Sequence, residues 1–287
     1  MMNRRDFLAA SIAIATNRAL AQAAGFGTHL RFAHRQTQIV APPGVSIFEF
    51  ASEIHGLDGL ELQIIWKGNN LGDFSNGLAA GYKSESKRTG IDIPSISGIW
   101  KPGEKIFDIP TAEAAITNAI RTADFFGART ILIALYTVNC PDMNDTSSFE
   151  PVVSLLQKMA PLAASANVTL GLETSLSAPD ELKFLTLIDK PNVRSYYDAA
   201  NEQQYHPGHA IEGIGILGPR IVQCHFKNGT ELLSSPTSTL DWRADLAALK
   251  HIHYNGWFVF ETTHSSPEQC IEATKSNIAF IHGEMQG

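Results

Sequence analysis

The chain has 287 residues, 44% of them hydrophobic and 18% charged, with a formal net charge of −7. That composition can bury a large core and excludes a disordered chain, and the length is routine for a single barrel domain. No Lys/Arg-rich run follows the N-terminus, so an acidic chain of this kind is poorly suited to gripping a phosphate backbone, and nucleic acid is not the expected partner.

Residues 1–23 read as a signal peptide. Paired arginines (Arg4, Arg5) precede a short apolar run and then the small-residue stretch ALAQAA. The order basic, apolar, A-x-A is that of a secretory signal, and Arg-Arg-x-Phe-Leu resembles a twin-arginine signal. The apolar run is too short to remain as a membrane span. The expectation is export to the periplasm, no membrane contact after cleavage, and a folded domain over residues 24–287. The cysteines Cys140, Cys224 and Cys270 are few, widely spaced and form no C-x-x-C. All three are expected as buried small hydrophobes outside any disulfide.

The segment 29–38 (HLRFAHRQTQ) reads as a first strand. A helix over 46–55 follows, with Ser46 as its N-cap. The stretch 59–66 (GLELQIIW) reads as a second strand, 76–88 as a helix closed by Gly90, and 92–100 (DIPSISGIW) as a third strand. A helix over 111–126, opened at Thr111 and closed by Gly127, carries an apolar stripe at helical spacing. The near-continuous apolar run 128–136 has the look of a strand buried on both faces. A helix over 148–166 comes next. Four strands ending at Glu173, Asp198, His225 and Glu261 then alternate with helices over 180–188, 209–217, 240–252 and 266–281. Eight strands alternating with eight helices predict a closed parallel (β/α)8 barrel. The competing doubly wound sheet is disfavoured, because no G-x-G-x-x-G follows the first strand.

In such a barrel the active site lies at the C-terminal strand ends, and four successive strands there end in Glu, Asp, His and Glu. Period-2 alternation puts Glu173, His225 and Glu261 on the faces opposite their bulky neighbours, and Cys224 on the side of the helices. Three carboxylates and a neutral imidazole carry three negative charges, so the cluster calls for a divalent cation. Oxygen-rich ligation favours Mn²⁺ or Mg²⁺ over Zn²⁺. Lys227, two residues past His225, shares its face and can polarise a substrate oxygen or neutralise an anionic group. Trp66 and Trp100, at the ends of strands two and three, can wall a sugar-sized pocket. His34 is a candidate polar contact, although a hydrogen-bonded barrel histidine is the competing reading.

The pattern G-L-E at 171–173, D-x-x-N at 198–201, H-x-K at 225–227 and strand-end Glu261 resembles the xylose isomerase-like barrel superfamily. More narrowly it is similar to the sugar phosphate isomerase/epimerase group, which includes ketose 3-epimerases and hydroxypyruvate isomerases. The resemblance implies a manganese, magnesium or cobalt ion held by Glu173, Asp198, His225 and Glu261. It implies that Glu173 and Glu261 double as acid/base residues on opposite faces of a small carbohydrate; Lys227, by its position, is the further candidate for catalysis. Glu61 looks like the superfamily's strand-two acid, behind the ligands. The chain departs from the ketose 3-epimerases at Asn201, where they carry a histidine; the side chain at this position is expected at the substrate. It departs again at Asn228, where many members carry an acid.

The expected activity is therefore metal-dependent isomerisation or epimerisation of a small sugar through an enediolate, in a homodimer or homotetramer. A keto-sugar or keto-inositol dehydratase or lyase on the same site is the in-class alternative. An apurinic-site endonuclease-like phosphodiesterase and a non-catalytic sugar-binding protein are the alternatives outside it. Strand ends two to four carry Trp66, Trp100 and Tyr136 rather than the extra histidines of a three-zinc phosphodiesterase.

Overall fold

A computed structural model of the chain describes residues 29–286, so the expected signal peptide lies outside the described residues. The chain divides at Leu30, and the unit from Arg31 onward carries the fold and the site. Its strands are β1 (Arg31–Arg35), β2 (Gly59–Gln63), β3 (Ser95–Ser97), β4 (Thr130–Leu135), β5 (Thr169–Thr174), β6 (Val193–Asp198), β7 (Ile221–Phe226) and β8 (Trp257–Phe260). All pair in parallel in sequence order, and β1 closes the ring by pairing with both β2 and β8. The expected (β/α)8 barrel is therefore observed.

Nine α-helices are present among the described residues: α1 (Ile47–Ser52), α2 (Leu78–Thr89), α3 (Ile109–Phe126), α4 (Thr146–Ser165), α5 (Ala178–Ile188), α6 (Ala199–Tyr205), α7 (Ala210–Leu217), α8 (Trp242–His251) and α9 (Pro267–Gln286). Ser46 caps α1 as expected, its hydroxyl accepting from the Phe48 N–H. Gly90 and Gly127 end α2 and α3 with φ of 77° and 78°. A left-handed residue just past a helix lets the chain turn back, and glycine adopts it without a Cβ clash. The helix beginning at α3 is capped by Asp108, not opened at Thr111, because the Asp108 carboxylate accepts the Thr111 N–H. The extra helix α6 starts directly after Asp198, ahead of the expected helix over 209–217.

Side chains on the helix-facing side of the strands make the main core. Phe32, Leu60, Leu62, Leu170, Leu172, Phe258 and Phe260 are each at most 1% exposed. Burying each contributes about 1.5–3 kcal/mol. The barrel interior is polar by contrast. Gln223 Nε2 donates to Ser95 Oγ (2.7 Å) and to Tyr196 OH (2.9 Å), and both hydroxyls donate to Glu61 Oε2 (2.8 and 2.7 Å). Gly171 makes room for this layer, since a Cβ there would stand 3.2 Å from the Tyr196 side chain.

Two expected strands are shorter than their apolar runs. The run 59–66 leaves the barrel after Gln63. Ile65–Trp66 instead pairs antiparallel with Asn69–Asn70 through a turn at Lys67 and Gly68, both with positive φ. A two-residue hairpin needs such a turn, so the chain reverses there before Trp66 can reach a barrel strand end. The run 92–100 contributes only Ser95–Ser97 to the sheet, and Trp100 lies on the loop beyond it. Cys224 and Cys270 are buried as expected, whereas Cys140 is partly exposed at the end of a 3-10 turn after β4.

Candidate metal centre and active site

The strand register brings the acid groups to one level. Asp198 stands opposite His225 across β6 and β7, and Val259 stands opposite His225 across β7 and β8. Glu261 is two residues beyond Val259 on the same face. The His225 ring is the hub. Its Nδ1 lies 3.2 Å from Glu173 Oε1, 3.5 Å from Glu261 Oε2 and 3.9 Å from Asp198 Oδ2. Its other nitrogen, Nε2, lies 3.2 Å from Glu61 Oε1. A carboxylate on Nε2 fixes the proton there and leaves the Nδ1 lone pair facing three further carboxylates. That arrangement repels itself unless Nδ1 is protonated or a cation stands between. In keeping with this, the His225 pKa is raised well above its ordinary range. Burial works against the charged ring, but Glu173 and Glu61 outweigh it.

Each carboxylate is held by a different device. Asp198 Oδ1 caps α6, accepting from the Ala200 and Asn201 N–H groups at 2.9 and 3.0 Å. Its Oδ2 is buried without a hydrogen bond and meets Lys227 Nζ at 2.8 Å as an ion pair. Burial pushes Asp198 up to about 6, against the pull of Lys227. Glu173 accepts from Asn201 Nδ2 at 3.1 Å. Burial pushes Glu173 up, but His225 and Lys227 bring it below its ordinary value. Glu261 pairs with the Arg35 guanidinium. Glu61 is fully buried, yet His225 and Arg35 override burial and bring it down to about 2.

The donor set fits a hard or borderline divalent ion. Glu173, Asp198 and His225 offer ligand atoms within 4.8 Å of one another. Ligands at about 2.1 Å in octahedral coordination sit about 3 Å apart, close to the 3.2 and 3.5 Å separations around His225 Nδ1. The one buried oxygen of Asp198 lacking a hydrogen bond points into the same space. Glu61 on the far nitrogen gives the carboxylate–histidine arrangement that orients metal-bound imidazoles.

A cavity of about 170 Å³ opens from this cluster. Among the residues expected at the substrate, Trp100, Asn201 and Lys227 line it, together with Glu173 and Glu261. Trp100 is pinned by its indole N–H donating to the Ala134 carbonyl at 3.0 Å. Asn201 links the site internally, donating to Glu173 while its Oδ1 accepts from Lys227 at 2.7 Å. A larger hollow of about 530 Å³ lies at the opposite mouth, among strand starts such as Arg31, Thr130 and Trp257, away from the acid cluster.

Two expected substrate contacts are not brought there. His34 is wholly buried on the outward face of β1, beside His264 and Thr262. Trp66 sits on the hairpin with Lys67 Nζ 5.3 Å above its ring, and does not line the cavity. The residue that takes the place on β1 is Arg35. The register sets it between Glu61 on β2 and the level of Glu261 after β8. The alternation in RFAHR puts Ala33 and Arg35 on one face and Phe32 and His34 on the other, and this signal was present in the sequence. Tyr136 also lines the cavity, and burial raises its hydroxyl well above the ordinary range.

The sequence profile of a protein family described as xylose isomerase-like TIM barrel matches residues 48–281. No curated protein matches the chain by sequence. Solved structures superpose over most of it. A D-psicose 3-epimerase crystallised in the presence of D-fructose is 13% identical, covers 90% of this chain and 100% of its own, and gives a TM-score of 0.73. A xylose isomerase-like TIM barrel protein from Mycobacterium smegmatis in complex with magnesium is 17% identical, with 89% and 98% coverage and a TM-score of 0.65. A 3-keto-D-glucoside 4-epimerase from E. coli is 14% identical, with 88% and 99% coverage and a TM-score of 0.69. At these identities the likeness establishes the fold.

Proposed function

This chain belongs to the xylose isomerase-like TIM barrel family, and from that premise we propose that it is a divalent-metal-dependent isomerase or epimerase of a small sugar or keto-sugar. The observation that carries the reading is the convergence of three carboxylates on His225 Nδ1 within 3.9 Å, at the floor of a cavity of monosaccharide scale. Structural neighbours that are sugar epimerases support the class. Glu173, Asp198, His225 and Glu261 would hold the ion, with Mn²⁺ or Mg²⁺ suiting the oxygen-rich set and Co²⁺ a workable substitute. When bound, the ion supplies positive charge beside a substrate carbonyl oxygen.

The chain's own groups supply the proton transfer. Glu173 and Glu261 face the cavity from different strands, so one can take a proton from carbon next to the carbonyl and the other can return one to the opposite face. Asn201 orients Glu173, and Arg35 anchors Glu261. Lys227, held by Asn201 and Asp198, stands 3.6 Å from Glu261 Oε2 and can donate to a substrate oxygen. Trp100 closes one wall and limits water.

The test is solvent exchange. Metal-reconstituted protein incubated with a panel of keto-sugars in D₂O is expected to place deuterium at the carbon beside the carbonyl. Chelation is expected to abolish it, and Glu173→Gln or Glu261→Gln to lower the rate by about 10²–10⁴-fold. Metal-loaded protein that exchanges none of the panel overturns the reading, and elimination of a leaving group without exchange product assigns it to the lyases.

A further inference from the structure

A second cluster of metal-ligating side chains lies on the other side of the β1–β8 seam and is used by nothing above. It comprises His34 on β1, Thr262 and His264 just after β8, and Cys270 in the first turn of α9. They are 0%, 1%, 8% and 0% exposed respectively. We propose that His34, His264 and Cys270 form a second, structural metal site, built for a borderline-soft divalent cation such as zinc and not for the hard ion of the active site.

The geometry carries this. His34 Nε2 and His264 Nε2 face each other at 3.2 Å. Two nitrogens bound to one tetrahedral zinc at about 2.0–2.1 Å stand about 3.3 Å apart. Thr262 Oγ1 lies 3.4 Å from the first nitrogen and 3.0 Å from the second, so it stands where a further corner of the same tetrahedron falls. The sulfur of Cys270 completes the group, with the three ligand atoms of His34, His264 and Cys270 within 4.8 Å of one another. A zinc-bound nitrogen and sulfur are about 3.6 Å apart, so closing the site asks the thiol to approach by at most about 1 Å.

Proton accounting points the same way. His34 Nδ1 lies 3.1 Å from the Arg35 carbonyl oxygen, which can only accept, so Nδ1 carries the proton and Nε2 presents a lone pair. A backbone carbonyl behind the distal nitrogen is the usual support of a metal-bound imidazole. His264 Nδ1 is buried with no partner at all. If His264 is protonated on Nδ1, two lone pairs face each other with the single Thr262 hydroxyl proton to serve both. If it is protonated on Nε2, a buried acceptor is left bare. A cation between the rings resolves the first arrangement. Burial, aided by the facing His264, keeps His34 in its neutral form, with its pKa brought down to about 3. Burial pushes the Cys270 thiol up, so only a bound ion would draw out the thiolate, at the N-terminal turn of α9. Two imidazoles and a thiolate select zinc over Mn²⁺ or Mg²⁺.

Such an ion would tie the start of α9 and the segment after Glu261 to the first strand. It would brace the place where the barrel closes, independently of the proposed activity.

Cobalt reports the difference between the two sites. Chelator-stripped, reduced full-length protein titrated with Co²⁺ is expected to bind a second equivalent per chain and to develop a thiolate-to-cobalt charge-transfer band in the near ultraviolet. The active-site ligands are oxygen and nitrogen only and cannot produce that band. Cys270→Ser is expected to lose the band while keeping cobalt-supported turnover, Glu173→Gln to keep the band, and added Zn²⁺ to erase it first. His264→Gln keeps the thiol and is expected to weaken the second equivalent by at least tenfold, which covers the case in which Cys270→Ser folds poorly. A wild-type protein saturated with Co²⁺ that shows no charge-transfer band overturns the proposal, and so does a band that survives Cys270→Ser.

Discussion

At the scale of single residues, the proposed metal centre leans on a group outside its ligand set. Glu61 accepts from His225, Ser95 and Tyr196 at once and lies opposite Arg35 in the strand register. Replacing it with glutamine keeps the shape but weakens its grip on His225. We expect Glu61→Gln to lower Mn²⁺ affinity by about 10–100-fold, measured by metal titration of stripped protein. A second buried acid works against stability. Asp245 on α8 has neither oxygen partnered, and burial, aided by Asp241, pushes it up to about 7. A carboxyl whose pKa is raised on folding binds more protons in the native state, so its contribution is fully present below about pH 4 and is lost as pH rises through 7. Asp245→Asn is therefore expected to be more stable than the parent at pH 8, by on the order of 1–4 kcal/mol. The gain should vanish near pH 4 in urea melts. His34 and Arg35 show what a strand's two faces decide. Both side chains carry chemistry, and only the face of β1 each occupies separates them. The reading of His34 as a hydrogen-bonded barrel histidine holds, and Arg35, on the inward face, is the residue that was missed.

At the scale of elements, what was legible and what was not has a physical basis. Strands β5 to β8 are runs that reach a charged or polar residue at their C-terminal ends. The same change marks both the strand and its ligand, so Glu173, Asp198, His225 and Glu261 could be read together. The runs 59–66 and 92–100 lack such a stop, and their apolar tails continue into a hairpin and a loop, which misplaced Trp66. Helix α6 was invisible because its cap is the ligand Asp198 itself, one side chain serving two purposes. The packing of α7 on β6 offers a test of how tightly these elements fit. A Cβ on Gly213 would stand 2.6 Å from the Tyr197 hydroxyl, which donates to the Ala210 carbonyl. Gly213→Ala is expected to cost about 1–3 kcal/mol by urea denaturation, with turnover per folded molecule nearly unchanged.

At the scale of the whole molecule, no helix among the described residues is long and apolar enough to cross a membrane. We propose that the protein is exported folded by the twin-arginine route and cut near Ala23. Replacing Arg4 and Arg5 with lysine is expected to trap it inside the cell, and mass spectrometry of the periplasmic form should find the first 23 residues missing. The barrel's closure bears on when such a molecule can be finished. Arg35 and Glu261 meet across β1 and β8 although 226 positions separate them along the chain. The ribosome must therefore release the chain past Glu261 before β1 finds its neighbour, and the proposed ion could not be held by all four candidate ligands until then. On the proposed function, loading would follow closure of the ring, and a transport system that accepts only folded cargo would receive the protein after it.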